Sequence, residues 1–320
     1  MHFPFAGSRS LHARGVLGIN SRNGRFVLPL NPRRLYPRVD DKLYTKRLVE
    51  AAGIATPKLL GAVSHHYELR LLPEILRGLD NFVLKPAHGA QGNGIVVIIG
   101  TNGDKYRKSS GSELSFARLQ QHVSSVISGV FSLRGDWDAC MIEERIVIEP
   151  SFEKISRFGI PDVRVIVYRG LPVMAMSRLP TSESDGRANL HQGAIAAGID
   201  MATGRAIHAA HHNASVTHHV DTGHAIIGFE IPHWDELLSL AVRAADTTGL
   251  GYLGVDIVVD ARRGPLLLEL NARPGLAIQI ANNEGLLPRL RLADSIRSSA
   301  SLPPTERCEI IRKLFASSPA

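Results

Sequence analysis

Two apolar runs near the C-terminal end constrain this chain more than anything else in it. The first reads Leu253-Gly254-Val255-Asp256-Ile257-Val258-Val259 and the second Leu266-Leu267-Leu268-Glu269-Leu270-Asn271. Both are dense in β-branched and leucine residues, and Asp260-Ala261-Arg262-Arg263-Gly264 lies between them, so the pair predicts a hairpin. On a strand, Glu269 and Asn271 face the same side. Pairing about the turn can set Asp256 across from them. Two carboxylates and an amide oxygen on one sheet face make a hard, oxygen-only donor set. Mg²⁺ suits such a set, because it keeps waters and shares its shell with nucleotide phosphates. A buried strand sometimes carries one satisfied acid, which explains one of these residues but not the three together.

The rest of the composition is compatible with that. The chain has 320 residues, enough for two or three lobes around a large core. Hydrophobic residues make up 44% and charged residues 21%, within the range of globular proteins. Cys140 and Cys308 are too few for a disulfide framework, so a reducing, cytoplasmic setting is expected. The first ten residues hold no apolar core of signal-peptide length, and no apolar run reaches membrane-spanning length. A formal charge of +7 favours anionic partners. Nucleic acid is not expected among them. Aromatic residues are only 6%, and no Lys/Arg-rich block is interleaved with them.

Along the chain, residues 1–40 are expected to be irregular, because Asn31-Pro32 and Tyr36-Pro37 interrupt long helices. Asp40-Asp41 should cap a helix whose apolar stripe is Tyr44, Leu48, Ala51 and Ala52 and which Gly53 ends. Strands are expected at 82–84 and 95–99, a helix over 112–130, and a hairpin of 163–168 with 171–176 turning at Arg169-Gly170. Residues 234–248 form an amphipathic helix with Trp234, Leu237, Leu238, Ala241 and Ala245 on one face and Gly249 as its stop. From about Ser298 the Ser/Pro punctuation suggests a loosely held tail. No internal repeat is evident.

Residues 82–94 read Phe82-Val83-Leu84-Lys85-Pro86-Ala87-His88-Gly89-Ala90-Gln91-Gly92-Asn93-Gly94, and a second apolar run follows. Glycines here permit positive φ and let backbone N–H groups approach phosphates. This is not a Walker A loop, in which the lysine follows the glycines and precedes Ser or Thr. Nor is it a dinucleotide fingerprint, which needs a helix where this chain has a strand. A strand lysine, a glycine hairpin and a return strand describe a lid over a triphosphate; an ordinary Gly-rich hairpin is the alternative.

Several motifs occur in a fixed order. They are Lys42 at a helix head, Lys85 before the glycine loop, Met141-Ile142-Glu143-Glu144-Arg145-Ile146, Asp162-Val163-Arg164 and Arg187-Ala188-Asn189-Leu190-His191. Gly254-Val255-Asp256-Ile257 and Leu268-Glu269-Leu270-Asn271-Ala272-Arg273-Pro274-Gly275 complete the set. Over roughly residues 40–290 the chain resembles the ATP-grasp ligases. Within them it is most similar to the RimK-like α-L-glutamate ligases and the sugar-transfer-associated ATP-grasp branch.

That resemblance implies an α+β ATP-grasp fold, two α+β lobes closing on ATP, here with a reduced N-terminal segment. The corresponding divisions are a 1–40 segment, a central lid lobe 41–142, a C-terminal core lobe 143–297 and a tail 298–320. It implies that Lys42 and Lys85 hold phosphates and that Gly89, Gln91, Gly92 and Gly94 form the lid. Glu143, Glu144, Arg145 and Ile146 would lie along the adenine edge. Asp162, Asn189 and His191 would border the nucleotide, and Asp256, Glu269 and Asn271 would be the metal ligands. The cofactors would be ATP and Mg²⁺, as two ions, with Mn²⁺ able to substitute.

The implied reaction is an ADP-forming carboxylate–amine ligation through an acyl-phosphate. It would add glutamate or a similar amino acid to an acidic acceptor, which could be a peptide, a protein or a metabolite. Arg164, Arg187 and Arg273 are the candidates for gripping the acceptor carboxylate or the transferred phosphate, since a guanidinium fork fits both. A structural ion pair is the alternative for each, Arg164 above all. Rival readings are a ligase acting on a sugar-linked or peptide intermediate and a nucleotide-binding module without turnover. The short N-terminal segment leaves room for a partner chain to complete that lobe. Ala188 and Arg273 depart from the family pattern, and the identities of acceptor and amine stay open.

The histidines His208, His211, His212, His218, His219 and His224 crowd one stretch. A polar strand and loop with incidental histidines is favoured there over a transition-metal site, because only Asp221 stands among them as a carboxylate. Cys140 lies in an apolar strand and is expected to pack in the core.

Overall fold

The computed structural model describes residues 7–89, 92–132, 135–157, 159–296 and 301–316. The described residues fall into two compact units. The smaller comprises 40–48 and 56–147, and the larger comprises 7–39, 49–55 and 148–316. Each is built on one antiparallel sheet.

In the smaller unit the strands are β1 (Leu59–Val63), β2 (Phe82–Pro86), β3 (Val96–Asn102), β4 (Lys105–Lys108), β5 (Glu113–Ser115) and β6 (Cys140–Glu143), in the order β1-β6-β2-β3-β4-β5. The glycine loop joins β2 to β3, and Phe82, Val83 and Leu84 pair with Ile98, Val97 and Val96. Helix α1 (Lys42–Ala51) begins after Asp41, whose Oδ1 accepts from Leu43 N at 2.9 Å and Tyr44 N at 3.0 Å. Helix α2 (Phe116–Ile127) lays Leu119, Val123, Val126 and Ile127 into the core beside Phe82, Leu84, Ile98 and Ile142. That spacing, i, i+4, i+7, i+8, is the stripe of an amphipathic helix. It differs from the expected 112–130 helix at its start, where residues 113–115 pair with β4 and Ser115 then caps the helix.

The apolar stripe expected on α1 is not the one that is buried. Tyr44, Ala51 and Ala52 are exposed, whereas Thr45, Lys46 and Val49 are buried. A buried ion pair on Lys46, described below, overrides the hydrophobic pattern.

The larger unit carries β7 (Asp162–Tyr168), β8 (Leu171–Leu179), β9 (Ile195–Ile199), β10 (Ala206–His211), β11 (Ala214–Ser215), β12 (Tyr252–Asp260) and β13 (Gly264–Asn271). Their order is β11-β10-β9-β8-β7-β12-β13. Arg169 and Gly170 both have positive φ, 49° and 78°, the type I′ geometry that suits the twist of a two-residue hairpin. Strand β12 is buried along its whole length, which explains its continuous apolar run. Helix α3 (Trp234–Thr248) covers the sheet with Trp234, Leu237, Leu238, Ala241 and Ala245 and ends at Gly249, φ 70°.

Two expectations for the chain's ends are corrected. Helix α4 (Leu286–Ser295) is followed by α5 (Pro304–Ala316), where a loose tail was expected. Arg307 of α5 is buried, donating to Gly170 O at 3.2 Å and Asp246 Oδ1 at 3.0 Å, and Ile311 joins the core. Pro304 opens the helix, a position that needs no N–H partner, so the proline that looked like a breaker is a start signal. The N-terminal stretch, expected to be irregular, forms short helical pieces at Ser8–Ala13, Ile19–Arg22 and Arg33–Leu35. Side-chain amides stitch it down. Asn31 Nδ2 donates to Tyr252 O at 2.8 Å and its Oδ1 accepts from Tyr252 N at 3.0 Å. Leu17 N donates to Gln279 Oε1 at 2.8 Å, and Gln279 Nε2 returns a bond to Leu17 O at 3.0 Å. No helix among the described residues is long and apolar enough to cross a membrane.

Candidate functional site

In the larger unit the β12–β13 register places Asp256 opposite Glu269 and Gly254 opposite Asn271. The three oxygen-bearing side chains therefore share one face of the hairpin. Asn271 Nδ2 donates to Asp256 Oδ2 at 3.3 Å, which leaves the amide oxygen as its donor toward a cation. A Cβ on Gly254 would stand 2.6 Å from Pro274 Cβ, so a glycine is what lets the Arg273-Pro274-Gly275 turn close over this hairpin end.

Asp256 is the hub of a buried charge cluster. Arg164, its neighbour across the β7–β12 pairing, donates from Nε to Oδ1 at 2.7 Å and from Nη2 to Oδ2 at 2.6 Å. Arg178 donates to Asp256 Oδ2 at 2.8 Å and forks onto both oxygens of Asp162. Two carboxylates thus meet two guanidiniums. Burial raises the Asp256 pKa, but the two arginines outweigh it and hold the carboxyl below its ordinary range. Burial dominates at Asp162, with Arg178 offsetting only part and Asp256 adding to it, so that carboxyl sits above its ordinary range.

Mg²⁺ is consistent with this donor set. All three residues offer oxygen, and among the described residues Asp256 Oδ1 accepts only the one bond from Arg164, which leaves it a lone pair. Arg164, a candidate clamp with a structural ion pair as its alternative, is bonded to Asp256, and Asp162, expected beside the nucleotide, is bonded to Arg178. Arg178 was not foreseen, because its two partners lie 16 and 78 residues away along the chain.

The segment after β8 carries Arg187, Asn189 and His191. Asn189 caps a short 3₁₀ turn, its Oδ1 accepting from His191 N at 3.0 Å, while Arg187 and His191 are exposed. The Arg273 guanidinium lies 5.3 Å from the Tyr36 ring centroid, a cation–π stack.

In the smaller unit the residues expected to hold nucleotide gather at the β2–β6 end of the sheet. Lys85 Nζ is 2.6 Å from Glu143 Oε2, and Lys46 Nζ is 3.0 Å from Glu143 Oε1. All three side chains are buried. Glu143, expected along the adenine edge, therefore spends its carboxylate between two ammonium groups. Lys46 was missed because a lysine one helical turn after Lys42 looks like a solvated charge. Lys42 Nζ donates to Gly89 O at 2.6 Å at the entry to the glycine loop.

His88 is fixed by Asp138, whose Oδ1 lies 2.8 Å from His88 Nδ1. Gly92 and Gly94 both have φ 76°, and a Cβ on Gly94 would stand 2.6 Å from Phe131 Cγ. Gln91 lies outside the described residues. Glu144, Arg145 and Ile146 follow β6 as an irregular half-buried stretch, with Glu144 N donating to Lys58 O at 2.9 Å. Cys140 is buried as expected, and burial pushes its thiol up to about 12.

A glycine hairpin with a strand lysine, and an acidic hairpin face suited to Mg²⁺, together define an α+β protein of the ATP-grasp class. The chain belongs to the sugar-transfer associated ATP-grasp family, whose model matches residues 21–295. It is 27% identical over 250 residues to a probable α-L-glutamate ligase of Syntrophotalea carbinolica, covering 78% of this chain and 61% of that one. A probable α-L-glutamate ligase of Citrobacter koseri is 29% identical over 248 residues, covering 78% and 60%. The chain thus spans about three fifths of the length of these curated relatives. Among solved structures it is similar to D-cycloserine synthetase DcsG, with TM-score 0.45, 14% identity and coverage of 87% and 73%. It is also similar to the D-alanine–D-alanine ligase from Bacillus anthracis complexed with ATP, with TM-score 0.41, 16% identity and coverage of 88% and 69%.

Proposed function

We propose that this protein is an ADP-forming carboxylate–amine ligase that uses ATP and Mg²⁺. The observation that carries the reading is the β12–β13 register, which gives Asp256, Glu269 and Asn271 one common face in a member of the ATP-grasp family. These residues would hold the cation. When bound, Mg²⁺ neutralises charge on the nucleotide's β- and γ-phosphate oxygens as they react. Arg164 and Arg178 keep Asp256 ionised and oriented for that task. Lys42 and Lys85 serve the α- and β-phosphates, and Glu143 orients Lys85. The glycine loop supplies backbone N–H groups to the triphosphate.

The acceptor carboxylate attacks the γ-phosphorus and ADP leaves, giving an acyl-phosphate. An amine then attacks the acyl carbon and phosphate departs, giving an amide. Arg187 and Arg273 are the groups we assign to the acceptor carboxylate. Glutamate is the first amine to test, since both curated relatives described above are called probable α-L-glutamate ligases.

The test is ADP release from ATP–Mg²⁺ across a matrix of amino acids and acidic acceptors, with product masses read in parallel. A product heavier than the acceptor by one amino-acid residue, with equal ADP, is the expected result. Tight ATP binding without ADP release under any pairing would leave a nucleotide-binding module instead.

A further inference from the structure

The histidine-rich stretch carries a second cluster that the proposed ligase chemistry does not use. Strand β10 ends at His211 and pairs with β11 through His211↔Ala214, so His212 and Asn213 form the turn. Both have positive φ, 48° and 64°. On an extended strand consecutive side chains point to opposite faces. The left-handed turn breaks that alternation and sets the His211 and His212 rings side by side, with centroids 4.1 Å apart. Glu183, from the segment that follows β8, reaches both. Its Oε2 is 2.8 Å from His212 Nε2 and 3.5 Å from His211 Nε2.

We infer that Glu183, His211 and His212 form a binding site for a divalent transition ion of the Zn²⁺, Ni²⁺ or Co²⁺ type. One ligand atom from each lies within 4.8 Å of the others. A tetrahedral ion with bonds of about 2.0–2.1 Å needs donor atoms roughly 3.3 Å apart. The two nitrogen-to-oxygen distances bracket that value, so small side-chain rotations suffice. Two imidazoles and one carboxylate are also the donor set of open three-ligand zinc sites, with water in the fourth position.

The charges around the cluster agree. Among the described residues the charge partners of Glu183 are these two imidazoles, with no lysine or arginine. His211 Nε2 also donates to the Gly193 carbonyl at 3.0 Å, so binding an ion there exchanges that bond and its proton for the metal. The neighbouring histidines are committed elsewhere. His208 contacts Ala281 O at 2.9 Å and Ser215 Oγ at 2.9 Å, His219 contacts Pro180 O at 3.1 Å, and His218 contacts Thr217 Oγ1 at 2.9 Å. The site is accessible, with Glu183 and His212 side chains 55% and 54% exposed and His211 15% exposed.

An ion there ties the segment that bears Arg187, Asn189 and His191 to the β10–β11 hairpin. Glu183 was invisible to a search of the histidine stretch because it lies 28 and 29 residues before its partners.

The experiment is calorimetric titration of ZnCl₂ into the untagged full chain with excess Mg²⁺ present, so that hard oxygen sites are already filled. Co²⁺ absorption serves as a second probe. We expect one saturable site, a tetrahedral Co²⁺ spectrum, and slower hydrogen exchange over residues 181–193 when Zn²⁺ is added. His212→Ala and Glu183→Gln alter exposed side chains and should fold normally by circular dichroism. Each should weaken Zn²⁺ at least tenfold and abolish the exchange effect. His218→Ala and His224→Ala should leave both unchanged. Absence of saturable binding, or a site whose affinity survives both His212→Ala and Glu183→Gln, would overturn the assignment and leave a histidine–carboxylate contact.

Discussion

Glu143 between Lys46 and Lys85 ties a buried charge cluster to the lysine proposed to serve the phosphates. Removing one partner of a buried pair leaves an uncompensated charge and costs about 3–5 kcal/mol. Glu143→Gln removes the counter-charge of two buried ammonium groups, of which Lys46 keeps Thr56 Oγ1 and Pro57 O as acceptors, so its loss should reach that range, whereas Lys85→Ala leaves Lys46 on the carboxylate and should cost less. Urea melts followed by exchange in the smaller unit would give the order, and equal costs would contradict it. Glu269→Gln keeps shape but loses charge. It should lower ATP turnover by about a hundredfold or more with an unchanged melting temperature, and near-normal ADP release would refute the metal role proposed for Glu269. Arg273 stacks on Tyr36 and opens the turn after Asn271. Arg273→Lys loses the planar fork, so acceptor-dependent turnover should fall more than tenfold, about 1.4 kcal/mol, while ATP affinity holds. A loss of ATP affinity instead would move the acceptor role to Arg187.

Helix α2 contacts the glycine loop through His122, whose Nε2 lies 3.0 Å from Gly94 O. Burial lowers the pKa of His122, the Gly94 carbonyl opposes that, and Lys108 adds to it. A base with a depressed folded pKa contributes stability that is full above its unfolded value, near 6.5, and is lost as pH falls through the folded one. Exchange protection at residues 92–94 should therefore drop on acidification below about pH 6.5, and His122→Gln should remove most of that slope. An unchanged slope would show that another group governs the loop.

At this scale the sequence was readable where local pattern and burial agree. The β12–β13 hairpin, α3 and the strand–glycine–strand unit all follow from runs of Val, Ile and Leu and from glycine punctuation. It was unreadable where a distant partner reverses the local signal. Lys46 is buried on the face of α1 because of Glu143, and Arg178 matters only through Asp256. Pro304, which reads as a breaker, begins α5. Asn31 and Gln279 hold the N-terminal stretch down across more than two hundred residues.

For the molecule as a whole, the family match, the net charge of +7 and the anionic nature of the ATP and acidic acceptors proposed for it are mutually consistent. If the proposed nucleotide site forms, ATP with Mg²⁺ should raise the unfolding midpoint by ordinary linkage, equivalent to about 2.7 kcal/mol at a hundred times Kd. ATP with EDTA should do much less. Equal shifts with and without the metal, read by scanning calorimetry, would detach Asp256, Glu269 and Asn271 from nucleotide binding. The stitching of the N-terminal stretch also bears on how the chain is made. Leu17 bonds to Gln279, 262 residues later. At about 5–20 residues per second of synthesis, Leu17 waits roughly 13–50 s on the ribosome before its partner exists. Phe26 can pack on Tyr168 as soon as β7 has been made, but the Leu17 end of the stretch stays unpinned until Gln279 has been added.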